Sequence, residues 1–160
     1  RGVEKAIKIL NKSNYISIVI TNQPAVAKGF CNLETIKSIN EKMETILGKS
    51  GVKLDSIYFC PHHPEKGFQG ENKAYKISCE CRKPKIGMIK KAQERYNIDL
   101  SRSYLVGDTT TDILTAKNAG ICSILVETGY AGRDGKYTIR PDFQCSNLFE
   151  AVKEIIMEKT

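Results

Sequence analysis

The chain has 160 residues, of which 41% are hydrophobic and 27% are charged, a balance that fits one globular domain with its own core. No apolar run is long enough to span a bilayer and the start is unlike a secretory signal, so we expect neither. The formal net charge of +7 favours an anionic partner, either a phosphorylated small molecule or a nucleic acid.

The first part of the chain is predicted to alternate helices with strands. Apolar residues at helical spacing predict a helix over Val3–Asn11, and the β-branched run Tyr15–Ile20 predicts a strand buried on both faces. A second amphipathic helix is predicted over Leu33–Gly48, capped by Asn32 and stopped by its glycine. A short strand over Ser56–Phe59 follows.

The same alternation continues to the end. Helices are predicted over Ile86–Tyr96, Asp112–Asn118 and Asn147–Lys159, the last opening with an Asn-x-x-Glu capping box. Strands are predicted over Ser103–Val106 and Ile121–Val126. Strands that alternate with helices pair in parallel through crossover helices. The fold class is therefore α/β, a doubly wound parallel sheet in a single domain.

Two pairs of metal-ligand residues lie on either side of a polar loop. Cys60 and His62 form one pair, and Cys79 and Cys81 form the other, with 16 residues between the pairs. A one-residue gap lets two side chains of an extended segment reach one ion, and a Cys3His set is typical of structural zinc. His63 is the competing imidazole; with His62 the gap is the same on both sides. The alternative is four unrelated loop residues.

The polar loop itself has almost nothing to bury, so packing should not hold its shape and a metal ion would. We therefore expect residues 60–84 to form a zinc-binding loop. The other cysteines, Cys31, Cys122 and Cys145, are scattered. That pattern is typical of a reducing cytoplasm, where we expect the protein to be located.

Polar side chains follow the predicted strands. In doubly wound sheets, ligands bind at the carboxyl ends of the strands, where helix N-termini attract anions. The polar residues at or near this edge are Thr21, Asn22, Gln23, Lys83, Asp108 and Asp112. A hydroxyl, amides, an ammonium group and two carboxylates at one crevice predict a phosphate and divalent-cation site.

A hard cation such as Mg²⁺ prefers carboxylate oxygens, which Asp108 can supply with Asp112 in support. Each residue also has a plainer interpretation. Thr21 and Asn22 are suited to a turn, Asp112 to the first turn of a helix, and Lys83 to a solvated surface. Only the combination of these residues favours a site.

That combination resembles the haloacid-dehalogenase-like (HAD-like) phosphatases. The shared pattern is Thr21 after a hydrophobic strand, Lys83 before a helix, and Gly107-Asp108 followed by Asp112. Within that superfamily the chain is most similar to the D-glycero-D-manno-heptose 1,7-bisphosphate phosphatases and the related histidinol-phosphatases. The matching segments, which cover nearly the whole chain, are Thr21–Gln23, Tyr58–Pro64, Cys79–Pro84 and Val106–Asp108. The wide loop between the ligand pairs favours the heptose enzymes.

The resemblance implies a Mg²⁺-dependent phosphomonoester hydrolase without a large cap domain. In such enzymes the first aspartate of an Asp-x-Asp motif attacks phosphorus and forms an aspartyl-phosphate, and the second acts as acid and base. The substrate is expected to be a phosphorylated sugar, most closely the heptose bisphosphate. Asn22 and Gln23 are expected to line its pocket. Zinc is expected to be structural, because four protein ligands leave no open position.

The resemblance also assigns roles to four charged or polar residues. Thr21 is expected to donate a hydrogen bond to a phosphoryl oxygen, and Lys83 to pair with that group and with the nucleophile. Arg82 is expected to bind the substrate, including a second phosphate, since guanidinium binds phosphate bidentately. Asp108 is expected to ligate Mg²⁺.

The main departure from the family is that no Asp-x-Asp occurs in the sequence. In the family this motif lies on a central strand, between the strands that here end at Thr21 and Gly107, and upstream of the helix corresponding to Val3–Asn11. We expect the natural protein to contain that strand and this chain to be N-terminally incomplete. The 160 residues alone are not expected to hydrolyse phosphate esters.

Two smaller departures concern the rim of the site. Pro24-Ala25 stands where the family more often has a small polar residue and glycine. Thr109 stands where a lysine or arginine commonly follows the motif aspartate. The first alters the expected pocket rim, and the second removes any contact carried by that position.

Three alternatives remain open from the sequence. They are a histidinol-phosphatase, a catalytically inactive homologue with a binding role, and a zinc-containing nucleic-acid-binding module. The last is disfavoured because there is no Trp and because the zinc loop carries Glu65, Glu71 and Glu80, which repel phosphates. We therefore expect a phosphorylated small-molecule partner, and neither nucleic acid nor membrane.

Overall fold

The computed structural model describes residues 2–159. Helices and strands alternate along it as the hydrophobic pattern predicts. The helices are α1 Val3–Leu10, α2 Leu33–Lys49, α3 Gly87–Tyr96, α4 Thr110–Ala119 and α5 Leu148–Glu150. The strands are β1 Ile18–Asn22, β2 Ser56–Cys60, β3 Tyr104–Gly107, β4 Cys122–Val126 and β5 Phe143–Cys145. After α5 the chain continues as a π-helical stretch, Ala151–Ile156, and a 3-10 turn, Met157–Lys159.

Within the described residues the strands form two parallel sheets. β1 pairs with β2, and β3 pairs with β4, which pairs with β5. The prediction of parallel strands joined by crossover helices is confirmed. β1 and β3 are not hydrogen-bonded to each other in residues 2–159, so each has one edge without a strand partner there.

Helices pack on both faces of the β3–β4 pair, because side chains alternate along a strand. Ile124 and Val126 face a core shared with α1 and the C-terminal helical segment, where Val152 is fully buried. On the other face, Leu105 packs with Ile89 of α3 and with residues of α4. This arrangement brings the carboxyl ends of β3 and β4 to one open edge. No helix within residues 2–159 has both the length and the apolar character needed to cross a membrane.

The first strand differs from its prediction. It runs over Ile18–Asn22 rather than Tyr15–Ile20, and all five of its residues are only partly buried. The expectation of burial on both faces is wrong because β1 pairs on one side alone within the described residues. Thr21 and Asn22 therefore belong to the strand and not to the loop after it.

Helix ends are set by local hydrogen bonds. Asn32 caps α2 as predicted, accepting from the Thr35 amide at 2.9 Å. The stop at Gly48 is wrong, since the helix continues to Lys49 and Gly51 takes the left-handed conformation with φ of +69°. No strand was predicted at β5, which is only three residues long.

The start of the last helix also differs from its prediction. The Asn147 side chain accepts from the amides of Phe149 and Glu150, as a cap should. The Glu150 carboxylate, however, accepts from the amide and hydroxyl of Ser146. The expected reciprocal capping box is therefore replaced by a bond to the preceding residue.

Asp142 fastens the start of β5 to β4. Its Oδ1 pairs with the ammonium of Lys117, and its Oδ2 accepts from the amide and hydroxyl of Ser123 at 2.8 and 2.7 Å. The Lys117 ammonium and these donors lower the pKa of Asp142 from 3.8 to about 2. The ion pair is 39% and 36% exposed on its two side chains, so screening limits its contribution to less than about 1 kcal/mol.

We expect Asp142→Asn to reduce the loss of stability in acid. Because the folded-state pKa is depressed, the carboxylate stabilises the fold above a pH of about 4, and that stability is lost as the pH falls toward about 2. Urea unfolding at a series of pH values measures the effect. An unchanged pH dependence in the variant would contradict the assignment.

Candidate active site and metal centre

Three thiols and one imidazole converge at the carboxyl end of β2. The ligand atoms of Cys60, His62, Cys79 and Cys81 all lie within 4.8 Å of one another. The S–S distances are 2.9 to 3.5 Å, and the imidazole Nδ1 lies 3.7 and 3.3 Å from two of the sulfurs. Zn–S bonds of about 2.3 Å in a tetrahedron place sulfurs about 3.8 Å apart. The cluster is thus close to the size of a tetrahedral zinc site.

The thiols differ in their readiness to ionise. Burial raises the pKa of Cys60 and that of Cys81. Burial opposes ionisation at Cys79 too, but hydrogen bonds from the other two thiols lower the pKa of Cys79. Thiolates are the metal-binding form of cysteine. The cluster therefore contains three adjacent sulfurs, one of which favours the thiolate. A bound cation would stabilise such a group of sulfurs.

The two neighbouring imidazoles have different surroundings. His62 directs Nδ1 at the sulfurs and stacks at a tilt on Tyr75, with ring centroids 5.9 Å apart. His63 is buried elsewhere in the loop, edge-on to Phe68 at 5.7 Å. Burial, and then the charge of Arg82, lower the pKa of His63. The sulfur cluster therefore includes His62 and not His63.

The loop between the ligand pairs packs around Phe68. The ammonium groups of Lys28 and Lys76 lie 4.3 and 4.6 Å from the centre of its ring, within cation–π distance. Lys76 is buried and lies 3.5 Å from Glu71, whose carboxylate also accepts from two loop amides. The expectation that this loop has almost nothing to bury is wrong, because it overlooked one aromatic side chain and its two cations.

Lys83 joins three separate parts of the chain. Its Nζ donates to Asp112 Oδ1 at 2.6 Å and to the main-chain oxygen of Ile20 at 3.1 Å. The two side chains of the ion pair are only 13% and 8% exposed. Lys83 is therefore a partly buried cation beside β1.

Asn22 holds the main chain of Lys83. Its Oδ1 accepts from the Lys83 amide at 3.0 Å, and its Nδ2 donates to the Lys83 carbonyl at 3.2 Å. Gln23 lies beside Thr21, with its Nε2 3.5 Å from the threonine hydroxyl. Both polar atoms of the Asn22 amide are thus engaged in positioning Lys83. That Asn22 and Gln23 line a substrate pocket stays a prediction.

Both carboxylate oxygens of Asp112 accept hydrogen bonds, so this residue does more than place a charge in the first turn of a helix. It is 5% exposed, and its Oδ2 accepts from the Thr109 hydroxyl at 2.6 Å and from the Thr109 amide at 3.1 Å. Thr109 in turn accepts from the Asp112 amide, which completes a capping box for α4. The position that departs from the family pattern is therefore the cap of this helix, and Asp112 supports Lys83.

Asp108 directly follows the carboxyl end of β3. Its Oδ2 accepts from the Tyr130 amide at 2.8 Å, and no donor among residues 2–159 is hydrogen-bonded to its Oδ1. An open cleft of about 370 Å³ begins here, between the ends of β3 and β4. Val106, Val126 and Thr128 contribute to its lining. One carboxylate oxygen is thus available to a cation at a site that solutes can enter.

Arg82 contacts the main chain beside the thiol cluster. Its Nη1 donates to the His62 carbonyl at 3.0 Å, and it lies between Cys81 of the cluster and Lys83 in sequence. The cluster therefore positions the main chain on which both cations are carried. The structure brings Asn22, Lys83 and Asp112 together directly through hydrogen bonds.

The comparisons with known proteins agree with this geometry. A family described as HAD-hyrolase-like matches residues 80–151. D-glycero-beta-D-manno-heptose-1,7-bisphosphate 7-phosphatase from Haemophilus ducreyi is 43% identical over 132 residues, which is 81% of this chain and 70% of the relative. The enzyme of the same name from Vibrio cholerae is 40% identical over 129 residues, covering 80% and 67% of the two chains.

A solved structure extends the similarity to the fold. The crystal structure of D,D-heptose 1,7-bisphosphate phosphatase from B. bronchiseptica, complexed with magnesium and phosphate, is 30% identical with a TM-score of 0.82. The match covers 98% of this chain and 83% of that one. The family match, the curated relatives and this solved structure together show that the chain is HAD-like and related to phosphatases. The chain belongs to the family of the heptose-bisphosphate phosphatases within that class.

Proposed function

We propose that this chain is part of a single HAD-like domain, and that this domain hydrolyses a phosphomonoester of a phosphorylated sugar with the help of Mg²⁺. The proposed substrate is D-glycero-β-D-manno-heptose 1,7-bisphosphate. The observation that carries the proposal is the 43% identity over 132 residues to a phosphatase named for that compound. The partly buried Lys83 beside β1 supports it, because a cation there can neutralise a transferring phosphoryl group.

Three residues of this chain have proposed roles in binding the phosphoryl group and Mg²⁺. Lys83 pairs with phosphoryl oxygens and is kept in place by Asp112 and Asn22. Thr21 donates a hydrogen bond to the same phosphoryl group from the end of β1. Asp108 offers its Oδ1 to Mg²⁺, which would supply Lewis-acid polarisation of the phosphoryl oxygens when bound.

The nucleophile is proposed to be an aspartate on a strand that pairs with the open edges of β1 and β3. In this step the carboxylate would attack phosphorus while the sugar oxygen leaves and takes a proton from the second aspartate of the motif. Water would then hydrolyse the aspartyl-phosphate, which releases phosphate and restores the carboxylate. Since the sequence contains no Asp-x-Asp, this step belongs to the proposal and is tested with the protein at its full natural length.

Residues 60–84 are proposed to bind zinc as a structural ion. Cys60, His62, Cys79 and Cys81 would occupy all four tetrahedral positions, which leaves none for substrate. The ion would fix the peptide that leads into Arg82 and Lys83. Zinc thus supports catalysis by position, while Arg82 is proposed to recognise the second phosphate of the substrate.

The direct test is phosphate release by the full-length protein. We expect hydrolysis of the heptose bisphosphate to be at least about tenfold faster, in kcat/KM, than hydrolysis of histidinol phosphate, and to stop when EDTA removes Mg²⁺. Faster hydrolysis of histidinol phosphate would replace the substrate and keep the class. Absence of any metal-dependent phosphatase activity would overturn the proposal.

A further inference from the structure

A glycine-rich loop, residues 128–137, folds back from β4 over the end of β3. Two of its amides donate to Asp108: that of Gly132 to the main-chain oxygen at 2.8 Å, and that of Tyr130 to Oδ2 at 2.8 Å. Gly129 has φ of +76°, and a Cβ there would lie 2.2 Å from Asp108 Oδ2. The main chain of the loop therefore restrains one oxygen of the Asp108 carboxylate through a hydrogen bond.

The loop has little apolar burial to hold it in this position. Tyr130 is 62% exposed, and most residues between 127 and 137 are exposed. A loop of this kind opens locally at low cost in free energy unless polar contacts restrain it. The restraint must therefore come from hydrogen bonds.

Asp134 supplies that restraint. Its Oδ1 accepts from the Thr110 amide at 2.7 Å and its Oδ2 accepts from the Thr110 hydroxyl at 2.9 Å. The same hydroxyl accepts from the Tyr137 amide at 3.2 Å. Burial opposes ionisation, but the bonds from Thr110 lower the pKa of Asp134. A charged carboxylate thus fastens the loop to the first residue of α4, two residues from Asp108.

We propose that Asp134 is a positioning residue, which latches the loop to α4 and thereby orients Asp108 for the divalent cation. With Oδ2 held by the Tyr130 amide, rotation of the carboxylate is restricted and Oδ1 points where no protein donor within residues 2–159 reaches it. The inference rests on the proposed function only in taking Asp108 as the metal ligand.

The test compares two aspartates with similar hydrogen bonds, although Asp142 also pairs with Lys117. Asp142 also accepts from the amide and hydroxyl of one residue, Ser123, but it lies at the opposite end of β4. Mn²⁺ serves as the probe, and its binding to the full-length protein is measured from the electron paramagnetic resonance signal of free Mn²⁺. The activity at rising Mg²⁺ concentration is measured in parallel.

We expect Asp134→Ala to weaken Mn²⁺ binding at least about tenfold. The Mg²⁺ concentration for half-maximal activity should rise by a similar factor, while kcat at saturating Mg²⁺ stays within about threefold of wild type. Asp134→Asn, which keeps one acceptor, should lose less. Asp142→Ala should leave Mn²⁺ binding within about twofold, although it also loses stability.

The proposed role of Asp134 would be overturned if Asp134→Ala bound Mn²⁺ with wild-type affinity. It would also be overturned if Asp142→Ala lost as much Mn²⁺ affinity as Asp134→Ala. Absence of Mn²⁺ binding to the wild-type protein would overturn it as well. Where Asp134→Ala does not fold, Asp134→Asn and Thr110→Val decide the question by the same measurement. Metal binding with the expected pattern but no phosphatase activity would support the latch and overturn the proposed function alone.

Discussion

Replacing Lys83 with methionine is expected to lower kcat by about 10²- to 10³-fold, because a preorganised positive group at the phosphoryl oxygens is lost. The same change is expected to destabilise the fold by about 3 kcal/mol, since the 8%-exposed Asp112 loses its partner at 2.6 Å. Steady-state phosphatase kinetics and urea unfolding of the full-length variants measure the two effects.

A double variant separates the two roles of Lys83. Lys83→Met with Asp112→Asn removes both charges, and the amide oxygen can still accept from Thr109, which donates to this position at 2.6 Å. We expect stability to recover by about half or more of the loss, while activity does not recover. Recovery of activity in the double variant would show that Lys83 acts only by satisfying Asp112.

Cys79→Ser is expected to release zinc from the purified protein. Structural zinc is bound with about 10–16 kcal/mol in small sites, and loss of one thiolate from a Cys3His set removes much of that affinity. We expect less than about one tenth of an equivalent of zinc by elemental analysis. Hydrogen exchange of residues 60–84 should speed up, and activity should fall because Arg82 is tied to the His62 carbonyl at 3.0 Å.

Cys31→Ser is the matched control, because Cys31 is a free thiol outside the cluster. It should keep one equivalent of zinc and wild-type hydrogen exchange in the loop. Stoichiometric zinc retained by Cys79→Ser would refute the site as drawn. Loosening of the loop to an equal extent in both variants would show that packing around Phe68, rather than the ion, holds its shape.

The order of helices and strands was predictable because it depends on periodicity within short windows. The Asn32 cap follows from the preference of asparagine for helix N-termini, which is a property of a single residue. The pairs Cys60/His62 and Cys79/Cys81 were recognisable because the two residues of each pair are separated by only one position. Where the local signal was weak, as in the three-residue strand β5, the prediction failed.

The ends of elements were less predictable than their existence. β1 begins three residues later than expected, because pairing with Ser56–Cys60 sets its limits and this register is a long-range property. α2 passes through Gly48, since its last turns are held by packing of Leu47 and not by the preference of the glycine alone.

The sequence by itself determined the fold class, the composition of the thiol cluster and the set of polar residues at the strand ends. Only the tertiary structure decided how these residues are paired. Asn22 and Lys83 are 61 positions apart, and Asp134 and Thr110 are 24 apart. Such polar contacts have no periodic signature, because they form between segments that the packing of helices on the sheet brings together. The sequence therefore shows which groups are present, and the fold determines which of them hold and which are held.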